Sequence, residues 1–249
     1  MDELSGRVAI VTGASRGLGA ALARGLAERG AAVALIARSE NEIASGARAI
    51  ETSGGRAVAL SADLSDLSGI DSLVDDVTSC LGAPDILINN AATVDPLSPT
   101  AELDVQQTDA AFRLNVTALI GLTARVLPHL LEQSWGRIVN VSSGVVTRPE
   151  AMIGGTVYAA SKAALEAHTL SLAAELDGTG VTVNAYRPGR IDTAMQEHLR
   201  TRDSRAFASA ASFAELHTSG GLISAEASAA GLLQRLASDD NGTIWTVGA

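Results

Sequence analysis

Cysteine is almost missing: the 249 residues include one, Cys80. A lone cysteine excludes an intrachain disulfide and any multi-cysteine zinc site, and it fits a reducing, cytoplasmic setting. Lysine is equally rare. Lys162 is the only one, and seventeen arginines carry the rest of the positive charge. Basic residues are in deficit overall, leaving a net charge of −10. That field repels phosphate backbones and anionic head groups, so neither nucleic acid nor a membrane surface is an expected partner. Long apolar runs are lacking as well. The longest, Ala31 to Ala37, falls far short of the roughly 20 residues that span a bilayer. Asp2 and Glu3 stand where a signal peptide would be basic, so an unexported protein is expected. No Pro- or Ser-rich linker, fixed-period repeat or low-complexity tail divides the chain.

The residues that are present suit a globular core, with 47% hydrophobic and 18% charged. Short β-branched runs read as strands at Arg7 to Thr12, Ala32 to Ala37, Arg56 to Leu60, Asp85 to Asn89, Arg137 to Ser142, Val181 to Tyr186 and Thr243 to Val247. They show little polar alternation, as buried parallel strands do. Ala/Leu-rich helical segments lie between them at about 18–29, 40–52, 66–81, 104–131, 157–177 and 225–237, long enough for right-handed crossovers. The alternation predicts one doubly wound α/β domain over residues 1–249 with a mainly parallel, seven-stranded sheet. Residues 194–220 interrupt the pattern and form a candidate lid. The pocket beneath it is expected to be mainly apolar, walled by Val145, Val146, Met152, Ile153, Met195 and Phe207.

Directly after the first strand comes Thr12-Gly13-Ala14-Ser15-Arg16-Gly17-Leu18-Gly19, which opens into a helix. Glycines at such a turn let the backbone approach a ligand, and the free N–H groups of the helix N-terminus attract a pyrophosphate. The second strand ends Ile36-Ala37-Arg38-Ser39. A dinucleotide site selective for NAD has an acidic residue in that zone to hold the ribose 2′-OH. Here no carboxylate repels a 2′-phosphate, and Arg38 and Arg16 are placed to grip one, so NADP(H) is the expected cofactor.

Tyr158 and Lys162 are four residues apart at the start of a predicted helix, which puts phenol and ammonium on one face. An adjacent cation favours the phenolate, making Tyr158 a candidate general acid/base with a lowered pKa. Upstream, the fifth strand ends in Ser142-Ser143 at the carboxyl edge of the sheet, where a hydroxyl can hold a carbonyl oxygen. The four histidines, His129, His168, His198 and His217, show no metal-ligand spacing, and no metal site is expected.

The spacing Gly-x-x-x-Gly-x-Gly, together with Tyr158-x-x-x-Lys162, resembles the short-chain dehydrogenase/reductase family, and the likeness runs from about Arg7 to Thr193. Asn89-Asn90-Ala91-Ala92 resembles the family's Asn-Asn-Ala-Gly stretch, and Asp63-Leu64 matches its pair beside the adenine. Pro188-Gly189-Arg190-Ile191-Asp192-Thr193 resembles the loop that binds the nicotinamide carboxamide, with charged Arg190 where an apolar residue is usual. The resemblance implies reversible hydride transfer between nicotinamide and a carbonyl or secondary alcohol. In it Tyr158 exchanges the proton, Lys162 holds the nicotinamide ribose, Ser143 orients the carbonyl and Asn115 supports a proton relay. The implied cofactor residues are Gly13, Ser15, Arg16, Gly17, Leu18, Gly19, Arg38, Ser39, Asp63, Leu64, Asn90, Tyr158, Lys162, Pro188, Gly189, Ile191 and Thr193. Ser143 lies fifteen residues before Tyr158, two more than the family's usual gap. A homo-oligomer, tetramer or dimer, is implied through the helices near 104–131 and 157–176. Alternatives are a keto-acid or imine substrate, with Arg148 or Arg190 meeting an acid group, and a non-catalytic NADP(H)-sensing module.

Overall fold

The computed structural model describes residues 4–248. Seven strands, β1 (Val8–Thr12), β2 (Ala32–Ala37), β3 (Arg56–Ser61), β4 (Ile86–Asn89), β5 (Gly136–Val141), β6 (Val181–Arg187) and β7 (Ile244–Thr246), form one sheet in the order β3-β2-β1-β4-β5-β6-β7. Every pairing is parallel, so the expected mainly parallel sheet is wholly so. The crossovers are α1 (Gly17–Ala27), α2 (Glu40–Thr52), α3 (Ile70–Leu81), α4 (Val105–Phe112) running on into α5 (Ala118–Glu132), and α6 (Thr156–Glu175). After β6 come α7 (Ala194–Arg200), α8 (Ala210–Thr218) and α9 (Ala225–Leu233).

Central strands are buried along their whole length, whereas edge strand β3 is partly open. That is why the central runs lack polar alternation. Both faces still need apolar cover, and successive β1 residues divide between two cores. Ala9 and Val11 pack with α1, α2 and α9 through Leu22, Leu26, Ile43 and Leu232. Val8 and Ile10 pack with α3, α5 and α6 through Leu73, Val77, Leu122, Val126 and Leu172.

The continuous helix Val105–Glu132 is long and apolar enough, by length and composition, to cross a membrane. A search for unbroken apolar runs passes over it, because Asp109, Arg113 and Arg125 interrupt the sequence. In the fold it covers the sheet with Leu119, Leu122, Val126 and Leu130 buried.

A third, smaller cluster fastens the 194–220 segment to the body: Val94, Leu97, Met152, Tyr158, Leu199, Phe207 and Ala210. Met152 and Phe207, expected to face a pocket, are 4% and 0% exposed inside this cluster, while Ile153 turns outward. Leu199, Phe207 and Phe213 of the segment close on this cluster, while Met195 and His198 face the cleft.

Candidate active site

A sheet whose strand order reverses leaves a crevice outside the carboxyl ends of the strands on either side. Here the reversal lies between β1 and β4, and a cleft of about 610 Å³ opens there. Thr12, the last residue of β1, ties the two strand ends together. Its Oγ1 accepts from the amides of Asn90 (2.9 Å) and Ala91 (3.0 Å), and Asn90 Nδ2 donates to the Thr12 carbonyl at 2.9 Å. Sequence reasoning missed Thr12, because a threonine ending a strand carries no signal of its own.

The glycine turn follows. Gly13 and Gly17 have φ of +64° and +57°, and α1 starts at Gly17 with no side chain capping its amides. At Gly19 a Cβ would stand 2.2 Å from the Gly13 carbonyl oxygen, so no side chain fits while the helix enters this close to the turn. Of the sequence-predicted cofactor residues, all but Gly189 line the cleft. Gly189 has φ of +78° and would drive a Cβ to 2.5 Å from Val247. The lack of a side chain there lets the backbone pack against Val247.

Strand order sets the sequence of groups along the cleft. At the β2 and β3 end stand Arg38, Ser39, Asp63 and Leu64. Arg16 and Arg38 are exposed, and among the described residues neither side chain has a hydrogen bond or ion-pair partner in contact. The Asp63 carboxyl is held below its usual range, chiefly by hydrogen bonds from Ser65 and further by the nearby Arg38 charge. Two free guanidinium groups with no carboxylate at the end of β2 fit a 2′-phosphate.

At the β5 and β6 end, α6 presents Tyr158 and Lys162, 8% and 2% exposed. Lys162 Nζ donates to the Val141 carbonyl at 2.7 Å and stands 5.9 Å from the Tyr158 ring centroid. Burial draws the Lys162 ammonium down to about 8, opposed by the Glu166 charge. The phenol moves the other way from the sequence expectation. Burial raises its pKa above the ordinary tyrosine value, and the Ser143 hydroxyl beside it offsets only part of that rise. The ammonium is turned to a backbone carbonyl, so the cost of burying a phenolate wins.

Of the two serines ending β5, Ser142 is fully buried with its hydroxyl committed to Glu166 at 2.6 Å. Ser143 begins a short 3-10 turn, accepts from Val145 N at 3.2 Å and is the one near the phenol. A second such turn at Pro149–Ala151 takes up the extra length before α6. Asn115 lies in a π-turn, Arg113–Thr117, which joins α4 to α5. It exchanges 2.8 Å hydrogen bonds with the Thr93 backbone and donates to Ser161 Oγ at 3.0 Å. Ser161 Oγ in turn donates to the Tyr158 carbonyl. Asn115 is buried behind the cleft wall, whereas Ser143 is partly exposed beside the phenol.

The lining also includes Asp95, which the sequence did not single out, and His198, to which it gave no role; their side chains meet at 3.1 Å between the loop after β4 and α7. Only the approach of the 194–220 segment brings them together. Arg148 and Arg190 are exposed and do not line the cleft.

A phosphate-binding turn at the switch point, free arginines at one end and a buried Tyr–Lys pair at the other define a dinucleotide-dependent oxidoreductase. The short chain dehydrogenase family matches over residues 7–204, and the chain belongs to that family. It is 35% identical over 191 residues to the ketoacyl reductase HetN of Nostoc sp., covering 77% of this chain and 66% of that protein. A short chain dehydrogenase of Pseudocercospora fijiensis is 40% identical over 193 residues, covering 77% and 62%. Among solved structures, a short chain dehydrogenase from Burkholderia cenocepacia in complex with NADP superposes with a TM-score of 0.83 at 33% identity, covering 98% of this chain and 97% of the other.

Proposed function

We propose that this chain is an NADP(H)-dependent reductase that converts the carbonyl of a small, mainly apolar compound to a secondary alcohol, reversibly, with Tyr158 as proton donor. One observation carries the reading: a buried phenol that keeps its proton at neutral pH sits beside the Ser143 hydroxyl, in the cleft whose far end offers Arg16 and Arg38. The NADP complex of the Burkholderia relative and the ketoacyl reductase name of the Nostoc relative agree with it.

When bound, NADPH supplies a hydride to the carbonyl carbon. Ser143 donates a hydrogen bond to the carbonyl oxygen, and Tyr158 gives that oxygen its proton. Lys162 holds the ribose and offsets the charge left on the phenolate until it regains a proton, by a path that Asn115 supports by fixing Thr93 against α6. Arg16 and Arg38 pair with the 2′-phosphate, and the uncapped amides of α1 hold the pyrophosphate. Val94, Ala194 and Met195 supply the apolar wall, and Asp95 with His198 adds one polar contact for the substrate. The outward position of Arg148 and Arg190 favours a neutral ketone over a keto acid. The four residues Asn115, Ser143, Tyr158 and Lys162, gathered at one place, favour an enzyme over a cofactor sensor. A cytoplasmic homo-oligomer, tetramer or dimer, completes the proposal.

The test is a panel of neutral ketones, aldehydes and keto acids with NADPH, and of alcohols with NADP, followed by nicotinamide absorbance. Tyr158→Phe should keep NADPH binding, read by fluorescence, and lose about 10²- to 10⁴-fold in turnover. Full turnover in that variant would overturn the reading.

A further inference from the structure

One buried charge network lies next to the catalytic groups and has no part in the proton transfer just described. Glu166 is 5% exposed. Its carboxylate accepts from Arg187 Nε at 2.8 Å and Nη2 at 2.7 Å, and from Ser142 Oγ at 2.6 Å. Residues 158, 162 and 166 are spaced by four, so Tyr158, Lys162 and Glu166 follow one another along a single face of α6. The network therefore joins α6, the end of β5 and the end of β6. At the end of β5, Val141 offers its carbonyl to Lys162, Ser142 is gripped by Glu166, and Ser143 stands beside the phenol.

An ion pair with a buried carboxylate and a partly exposed guanidinium, whose side chains are 6% and 17% exposed, is a poor device for stability alone, because desolvating the carboxylate offsets much of the attraction. Its position gives it another use. Lys162 is faced by Tyr158 and Glu166 from its own helix and by the Val141 carbonyl from β5, while Arg187 of β6 reaches it through Glu166. The Val141 carbonyl and the Glu166 carboxylate are the groups that support the charge of Lys162 against burial.

On the reductase reading above, we propose that Glu166 is a positioning residue: clamped by Arg187, it fixes the β5 end that carries Val141 and Ser143, and it sets a carboxylate one helical turn beyond Lys162. Arg187 in turn holds the carboxylate stationary through two hydrogen bonds. Neither residue touches the reacting atoms.

Because Lys162 is the only lysine, feeding the expression host lysine labelled with ¹³C at Cε gives one side-chain resonance, whose pH titration reads the charge of Lys162 without cofactor or substrate. In Glu166→Gln, which keeps the shape and an acceptor for Ser142, the midpoint should fall by roughly one unit from the wild-type value. Removing the carboxylate alone strands Arg187, so Glu166→Gln combined with Arg187→Met provides a second fold-tolerant variant, with a smaller shift in the same direction. NADPH binding by fluorescence gives the functional arm. Glu166→Gln should weaken it roughly fivefold more near pH 8 than near pH 6, as the neutral fraction of Lys162 grows. An unmoved Lys162 titration in both variants, or equal weakening at both pH values, overturns the proposal. Retained turnover in Tyr158→Phe would instead sink the reductase reading, a result the lysine titration neither needs nor affects.

Discussion

Tyr158 and Lys162 shift in directions that divide their labour. The phenol is raised by burial and stays protonated through neutral pH, while the ammonium, drawn down to about 8, is the group that titrates first as pH rises. Lys162 carries its charge below that value and loses it above, so kcat/KM for carbonyl reduction should descend above about pH 8. A profile flat well beyond that point would assign the limb elsewhere. At the opposite end of the cleft, Arg38→Asp removes a charge-assisted contact and adds a repulsion, together a few kcal/mol, so NADPH affinity should fall about 100-fold. NADH binding should be little changed, and comparing the two dissociation constants checks this. Equal wild-type affinity for both cofactors would remove the 2′-phosphate argument altogether. The two serines at the end of β5 show how little identity says about role. Ser142 is spent on Glu166, and only Ser143 is free to meet a substrate.

Among the elements, the 194–220 segment is held by side chains that a sequence pattern assigns to the wrong side. Phe207 is fully buried and its ring lies 5.5 Å from that of Phe213, so it anchors α7 and α8 to the loops carrying Val94 and Met152. Phe207→Ala should cost about 3 to 5 kcal/mol, the range for emptying a buried aromatic site. Chemical denaturation measures the loss. Since the cluster also contains Tyr158, KM should rise as the segment loosens, and an unchanged unfolding midpoint would place Phe207 outside the core. The junction of α4 and α5 is a different case. A continuous apolar helix can be read from the residues around 104–131, but the π-turn that presents Asn115 depends on bonds to Thr93 and Ser161, which no helical periodicity reports.

At the scale of the whole molecule, Ile120 and Leu131 on α5 and Leu170 on α6 are 38%, 40% and 46% exposed, an apolar surface on the helices expected to join subunits. Leu170→Glu together with Ile120→Glu should convert an oligomer to the 25.3 kDa chain in sedimentation. A wild-type protein that already sediments as that chain at micromolar concentration would rule the oligomer out. Much of this architecture was legible beforehand, since strands buried on both faces must be apolar throughout and a phosphate-binding turn must place its glycines between a strand and a helix. Local chemistry of that kind is written in neighbouring residues, and so Gly13 to Gly19, Arg38 and the Tyr158–Lys162 pair could be singled out as candidates from spacing, the rarity of lysine and the family resemblance. What spacing could not supply was every relation made across the sheet. The grip of Thr12 on Asn90, the meeting of Asp95 with His198, the capture of Ser142 by Glu166 and Arg187, and the upward shift of Tyr158 all depend on burial and on partners distant in sequence. A residue's neighbours in the chain set its conformation, but its dielectric surroundings and its charge partners exist only once the strands have paired and the helices have closed over them.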